Sequence, residues 1–111
     1  MKSYILAFPL SKIEEMFPNR CIKQVDLDGL KVGVTRIEEE FFAFESTCPH
    51  RLTSLIPGEI SESKEVICPL HSYRFDLNSG AVKAGMCGDL KVYPVEMDEA
   101  GLKISIPEIS N

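Results

Sequence analysis

Both histidines of the chain and two of its four cysteines lie in one short segment. The segment contains Cys48-Pro-His50 and, after residues 51–67, Cys68-Pro-Leu-His71. Two thiolates and two imidazoles could bind one zinc ion, or a two-iron cluster with two cysteines on one iron and two histidines on the other. Zinc fingers usually pair Cys with Cys and His with His, whereas each pair here is mixed. Mixed pairs favour the cluster, because each of two similar loops can then give one ligand to each iron.

The composition is that of one ordinary globular domain, with 111 residues of which 44% are hydrophobic and 26% charged. The net charge of −5 argues against binding of nucleic acid and is compatible with a basic protein partner or with solubility alone. No stretch approaches the roughly 18 apolar residues that cross a bilayer, and the first residues lack the cleavage site of a signal peptide. We therefore expect a cytoplasmic protein without a membrane partner. In that compartment thiols stay reduced, so the cysteines are expected to serve metal or redox chemistry rather than to form disulfides.

Short alternating apolar patterns, broken by turn residues, predict an all-β domain whose strands position the two Cys-His pairs. In residues 22–34 the alternation surrounds Asp28-Gly29, a dipeptide that favours the two-residue turn of a hairpin. A strand over residues 41–45 leads directly into the first pair. A second hairpin is predicted between LKVYPVEM and LKISIP, across residues 98–101.

One short helix is predicted for SKIEEMF, where Ser11 and Glu14 fit a capping box and Pro18 follows the end. The segment that carries the Cys-His pairs is predicted to consist of loops and very short strands. The region that holds the metal ligands would therefore be inserted between the regular hairpins.

The two Cys-His pairs, the following RFDLNSG and the later LKVYPV resemble the Rieske-type [2Fe-2S] proteins, in particular the soluble Rieske ferredoxins. The resemblance covers the chain from about residue 20 to the C terminus. It implies an antiparallel β-sandwich or barrel that forms a single domain over residues 1–111. It also implies a cluster-binding subdomain of two ligand loops at about residues 46–76.

The same resemblance implies the ligands of one Rieske-type [2Fe-2S] cluster. Cys48 and Cys68 would bind one iron, and His50 and His71 would bind the other. Two neutral imidazoles in place of two thiolates make the oxidised cluster formally neutral. We therefore expect it to accept an electron more readily than an all-cysteine cluster does.

The chain differs from the high-potential members of this family in its ligand loops. Those members carry an extra cysteine in each loop, and the two form a disulfide, whereas Thr53 and Leu70 stand at these positions here. Their Ser and Tyr donors to the cluster sulfurs are replaced by Tyr73 and Phe75. With fewer donors, we expect a potential toward the lower end of roughly −150 to +300 mV.

Other departures concern the loop backbone and the remaining thiols. Leu52 and Ser72 stand where the family often has glycine, and the covering loop KAGMCGDL has glycines where the family usually has proline. Cys21 and Cys87 are expected to be small buried thiols, with a redox role for Cys87 as the alternative.

The chain has no further histidines for a catalytic iron and no dinucleotide motif, so an electron carrier is expected rather than an enzyme. The resemblance implies that it carries one electron from a reductase to a terminal enzyme such as a multicomponent oxygenase. The alternatives are the small subunit of a larger reductase, as in nitrite reductase, and a zinc-stabilised binding module. The electron is expected to leave at an exposed tip, around the rings of His50 and His71. The residues expected there are Arg51, Leu52, Leu70 and Met86.

Overall fold

The computed structural model describes residues 2–49 and 53–107. In this part of the chain one helix, α1 (Leu10–Met16), accompanies eleven strands. The strands are β1 (Lys2–Leu6), β2 (Ile22–Leu27), β3 (Leu30–Ile37), β4 (Glu40–Glu45), β5 (Glu59–Ile60), β6 (Glu65–Ile67), β7 (Arg74–Asp76), β8 (Val82–Ala84), β9 (Val92–Tyr93), β10 (Val95–Asp98) and β11 (Gly101–Ile106). None of the described helical residues belongs to a helix long and apolar enough to cross a membrane.

The strands form three antiparallel sheets, which confirms the predicted all-β fold. Their orders are β1-β11-β10, β2-β3-β4-β9 and β5-β6-β7-β8. The third sheet consists of strands of two or three residues, as expected for the segment with the Cys-His pairs. We call the sheet β2-β3-β4-β9 the central sheet and the sheet β5-β6-β7-β8 the site sheet.

The central sheet has a hydrophobic core on each of its two faces. Successive side chains on a strand point to opposite faces, so a single strand can contribute to both cores. In β4, Phe42 and Phe44 pack into one core and Ala43 packs into the other. The site core, on the side of the site sheet, consists of Ile22, Ile37, Phe42, Phe44, Cys48, Leu55, Val66, Cys68, Phe75, Leu77 and Leu90. The distal core, toward α1 and β11, consists of Ile13, Phe17, Leu27, Val32, Val34, Ala43, Tyr93, Leu102, Ile104 and Ile106.

The first predicted hairpin is confirmed. Leu27 pairs with Leu30 across a two-residue turn, in which Asp28 has φ 56° and Gly29 has φ 91°. Positive φ at both central residues defines the turn type that matches the twist of an antiparallel pair. The strand predicted before the first Cys-His pair is confirmed as β4, which pairs with β3 along its whole length.

The helix is confirmed, but its predicted capping box is wrong. The helix starts at Leu10, so Ser11 already lies inside it, and no side chain caps its start. Instead, the carbonyl of Pro9 accepts hydrogen bonds from the N–H groups of Lys12 and Ile13, each at 3.0 Å. Extended Pro9 provides a suitable entry into the helix without a polar cap, and Ile13 anchors the helix in the distal core.

The sequence LKVYPVEM was predicted as one strand, but the structure divides it at Pro94. β9 pairs with β4 in the central sheet, whereas β10 pairs with β11 in another sheet. Proline has no N–H to donate and so interrupts a ladder, while its carbonyl still accepts a hydrogen bond from the N–H of Ser105 at 2.9 Å. The chain therefore passes from one sheet to the next at this residue. The hairpin after it is confirmed, with Asp98 paired to Gly101.

The turn between β7 and β8 is organised by a carboxylate. The side chain of Asp76 accepts hydrogen bonds from the N–H groups of Asn78 at 2.8 Å and Ser79 at 3.0 Å. Its own carbonyl accepts one from the N–H of Gly80 at 2.7 Å. The N–H of Ser79, more than any other group, lowers the pKa of Asp76 below its ordinary value, because these donors favour the charged carboxylate.

This pKa shift predicts a contribution to stability that depends on pH. The contribution is present above the ordinary pKa of Asp76 and is lost as pH falls through the lowered value, where the folded protein must take up the proton. Asp76→Asn should therefore be less stable than the wild type at neutral pH, and the difference should shrink in acid. Denaturant titrations from about pH 7 to about pH 3 would measure it, with exposed Asp26→Asn as the control. A difference that stays constant with pH would contradict this account.

Candidate metal centre

The first ligand loop leaves the end of β4 and is closed at its base by backbone hydrogen bonds. The N–H of Cys48 donates to the carbonyl of Thr53 at 2.7 Å, and the N–H of Leu55 donates to that of Ser46 at 2.7 Å. These bonds hold the two arms of the loop together and direct Cys48 inward. Its side chain is fully buried in the site core.

The second ligand loop is a tight turn between β6 and β7. The N–H of Cys68 donates to the carbonyl of Tyr73 at 2.8 Å, and that of Ser72 donates to the carbonyl of Cys68 at 3.0 Å. Ser72 has φ 57°, a left-handed conformation that glycine adopts without penalty. The structure therefore explains why glycine suits this position. Serine adopts the same conformation here at a cost of about 1 kcal/mol.

The structure brings the two predicted cysteine ligands into one core. Cys48 and Cys68 are both fully buried there, whereas His71 is exposed at the outer part of the second loop. His50 lies outside the described residues, and its role as a ligand stays a prediction. In residues 2–49 and 53–107, no three His, Cys, Asp or Glu side chains meet as a site for a single metal ion.

The donor types fit a group that takes thiolates on its inner side and imidazole on its outer side. Thiolates are softer and more negative ligands than imidazole, and a two-iron cluster can separate the two kinds on different irons. Apolar side chains pack around the two thiols and limit contact with water from the inside. Leu55, Val66 and Phe75 are among them, and all three are fully buried.

The other two cysteines differ from each other. Cys87 is half-buried and packs against the site core. Its pKa is raised by burial first, and then by the negative charges of Asp89 and Cys68. Cys21 is exposed, so the prediction that it is buried is wrong. It directly precedes Ile22, whose side chain enters the site core, and neighbouring side chains on an extended segment point to opposite sides.

The outer surface near the second ligand loop is partly apolar. Leu70 is 46% exposed and Met86, on the covering loop, is 92% exposed. Arg51 and Leu52, which were expected at the same tip, lie outside the described residues. The two apolar side chains therefore define the described part of the tip.

A family model for the Rieske [2Fe-2S] domain matches residues 7–94. The chain belongs to this family. The match includes both ligand loops and the whole site sheet, and it confirms the family suggested by the Cys-His pairs.

The Rieske chain is similar to ferredoxin components of dioxygenase systems. It is 34% identical over 87 residues to the biphenyl dioxygenase ferredoxin subunit of Pseudomonas sp. (strain KKS102), covering 78% of this chain and 79% of that one. It is 30% identical over 82 residues to the ferredoxin component of the naphthalene 1,2-dioxygenase/salicylate 5-hydroxylase systems of Ralstonia sp, covering 73% and 78%.

Solved structures agree with this family. The ferredoxin of carbazole 1,9a-dioxygenase from Nocardioides aromaticivorans IC177 has a TM-score of 0.80 at 27% identity, covering 95% of this chain and 98% of that chain. A protein described as an NADH-dependent nitrite reductase small subunit from Mycobacterium tuberculosis has a TM-score of 0.81 at 16% identity, covering 97% of both. At that identity the second similarity shows the fold alone.

These similarities establish the class of this Rieske protein. It binds one [2Fe-2S] cluster of the Rieske type, and it is an electron carrier of the ferredoxin kind rather than a catalytic enzyme. The expectation of an electron-transfer protein is therefore confirmed, and the zinc-stabilised binding module is not supported.

Proposed function

We propose that this Rieske ferredoxin accepts one electron from a reductase and delivers it to the terminal oxygenase of a multicomponent dioxygenase system. The cluster would be bound by Cys48, His50, Cys68 and His71. The observation that supports this most is the difference in burial within the second Cys-His pair. Cys68 is fully buried, whereas His71, three positions later, is exposed.

This arrangement determines what each side chain would contribute. The buried thiolates of Cys48 and Cys68 would hold the inner iron in an apolar core, away from water. The imidazoles would hold the outer iron at the surface, where a partner protein can approach closely. When bound, the cluster supplies a centre that takes up and releases a single electron. The protein would therefore bury the inner iron in its apolar core and leave the outer iron accessible to a partner protein.

We infer that residues 46–76 form most of a cluster-binding subdomain within a single domain over 1–111. β8 completes the site sheet beyond that range. The subdomain is tied to the central sheet by the guanidinium of Arg20, which donates to the carbonyl of Ser61 at 3.0 Å. This hydrogen bond, and the site core that the central sheet and the site sheet share, favour one cooperative unit. We also propose that the protein works in the cytoplasm, where its thiols stay reduced.

A test of the proposed function follows the electron directly. The protein, purified anaerobically and reduced chemically, is mixed in a stopped-flow instrument with the oxidised terminal oxygenase of the biphenyl dioxygenase system. We expect re-oxidation at a rate proportional to oxygenase concentration, and one electron transferred per chain. Stable co-purification with a large catalytic chain in equal amounts would instead identify a reductase subunit and contradict the proposal.

The exposed apolar tip predicts where the oxygenase docks. Leu70→Asp should lower the second-order rate of electron delivery about tenfold, since an exposed leucine contributes on the order of 1.4 kcal/mol when an interface buries it. The measurement is the same stopped-flow experiment. Transient redox interfaces are small, so a single anchor has a large effect.

Ile5→Asp is the matched control for this variant. Ile5 is 53% exposed but lies on β1, in the sheet on the opposite side of the central sheet. It should leave the delivery rate unchanged. If Leu70→Asp shifts the midpoint potential and leaves the delivery rate as it was, Leu70 shields the cluster from water and does not serve docking.

A further inference from the structure

The ring of Tyr73 lies directly on the backbone of Gly85. A Cβ atom placed on Gly85 would lie 2.2 Å from Cδ2 of that ring and 2.5 Å from both Cε2 and Cγ. Real Cβ atoms do not approach ring carbons so closely. Gly85 also has φ 125°, a conformation that residues with a side chain rarely adopt. The contact therefore requires a glycine on one side and a planar ring on the other.

The two residues lie where the site sheet ends. Arg74 on β7 pairs with Ala84 on β8, and Tyr73 and Gly85 are the next residues outward on the two strands. Tyr73 also closes the second ligand loop, because its carbonyl accepts the hydrogen bond from the N–H of Cys68 at 2.8 Å. The ring thus joins the loop that carries Cys68 to the segment that follows β8.

That segment is the covering loop, and few residues of its middle part, 85–88, make close contacts. Met86 is 92% exposed, and a Cβ atom on Gly88 would have no neighbour within 4 Å. Cys87 is the residue of this loop that packs against the site core. At the far end of the loop, the side chain of Asp89 accepts a hydrogen bond from the N–H of Val82 at 3.0 Å. Between its ends, the loop is held by the side chain of Cys87 and by the contact of Gly85 with Tyr73.

We propose that Tyr73 is a positioning residue whose ring, packed on Gly85, holds the covering loop against the metal centre and limits the access of water to the cluster. This inference rests on the proposed ligation by Cys68. Water stabilises the reduced cluster, which is the more negatively charged form. A loosened loop should therefore raise the midpoint potential and speed the loss of iron. The effect comes from the packing of the ring on Gly85.

Three variants test this inference. Tyr73→Ala should release iron to a chelator about tenfold faster than the wild type, because loss of the aromatic contact favours loop opening; a tenfold change corresponds to about 1.4 kcal/mol. It should also show a higher midpoint potential and faster hydrogen exchange at residues 85–88. Tyr73→Phe keeps the ring and should match the wild type in all three measurements. Gly85→Ala should resemble Tyr73→Ala, since the methyl group displaces the ring.

Gly88→Ala is the matched control, because it adds the same methyl group to the same loop in open space. If Tyr73→Phe behaves like Tyr73→Ala, the hydroxyl group and not the ring is responsible, and the proposal is wrong. If Tyr73→Ala equals the wild type, the proposal is also wrong while the ligand assignment stands. A wild-type protein without iron and sulfide would instead overturn the proposed function itself.

Discussion

Cys68→Ser should abolish the visible absorption of the purified protein and reduce its bound iron and acid-labile sulfide to a small fraction of the wild-type content. The thiol of Cys68 is fully buried in the site core, and no other cysteine follows in the second ligand loop. Serine presents a hydroxyl group that is a poor ligand for iron at neutral pH, and Fe–S clusters depend on thiolate ligands. Iron, sulfide and absorption per chain, after anaerobic purification, measure the effect.

Cys21→Ser and Cys87→Ser are the controls for this result, and both should keep the full cluster content. Cys21 is exposed, directly before β2, so its thiol is not directed into the site core. Cys87 is closer and packs against the site core, which makes it the more stringent control. Loss of the cluster in either variant, with retention in Cys68→Ser, would show that the ligand set is wrong.

Gly80→Ala should destabilise the protein by about 3 kcal/mol or more. A Cβ atom on Gly80 would lie 1.9 Å from the carbonyl oxygen of Leu90, and Gly80 has φ 80°. The carbonyl of Gly80 also accepts the hydrogen bond from the N–H of Leu90 at 2.8 Å. The methyl group would therefore separate the β7–β8 turn from the segment that leads into β9. Unfolding in denaturant at constant pH measures the loss.

Gly29→Ala provides a matched control, because Gly29 also has a positive φ, 91°, but has nothing within 4 Å of an added Cβ. It should cost only about 1 kcal/mol, the penalty for a side chain in this conformation. The difference between the two variants isolates the steric contact with Leu90. If Gly80→Ala and Gly29→Ala lost the same amount of stability, the backbone at Gly80 would have moved away from Leu90 at no cost in free energy, and the predicted steric effect would be wrong.

The sequence predicted those parts of the fold that depend on residues close together in the chain. Asp28-Gly29 specifies its hairpin through the φ angles that these two residues tolerate. The strand β4 has apolar residues on both faces, Phe42 and Phe44 on one and Phe41 and Ala43 on the other, and this apolar run is visible in its own six residues. Backbone preferences and the apolar pattern of a few neighbouring residues were therefore sufficient to predict the hairpin and the strand.

Features that depend on distant residues could not be predicted in this way. β1 pairs along its whole length with β11, so the two ends of the described chain meet in one sheet, and no local pattern in either strand identifies its partner. Pro94 could be read as part of an edge strand, but only the position of two sheets shows that the chain changes sheets there.

In the candidate site, too, features set by nearby residues could be predicted and features set by distant residues could not. Its cysteines and histidines were found from types and spacing, because cluster ligands recur in short motifs. The contact of Tyr73 with Gly85, and that of Gly80 with Leu90, were not found, since each joins two loops that meet only in the fold. A glycine in the sequence, such as Gly80 or Gly85, indicates that the backbone can adopt an unusual conformation there, but it does not indicate which residue the glycine contacts.

Pulsed EPR of the reduced protein, labelled with nitrogen-15 in histidine alone, tests the central claim most directly. The chain contains only two histidines, so any coupling from the label identifies His50 or His71 as ligands. The account predicts one reduced [2Fe-2S] cluster per chain with two coupled imidazole nitrogens. A cluster without coupling to labelled nitrogen would contradict the account, because an all-cysteine ligand set would require all four cysteines of the chain, Cys21 and Cys87 included.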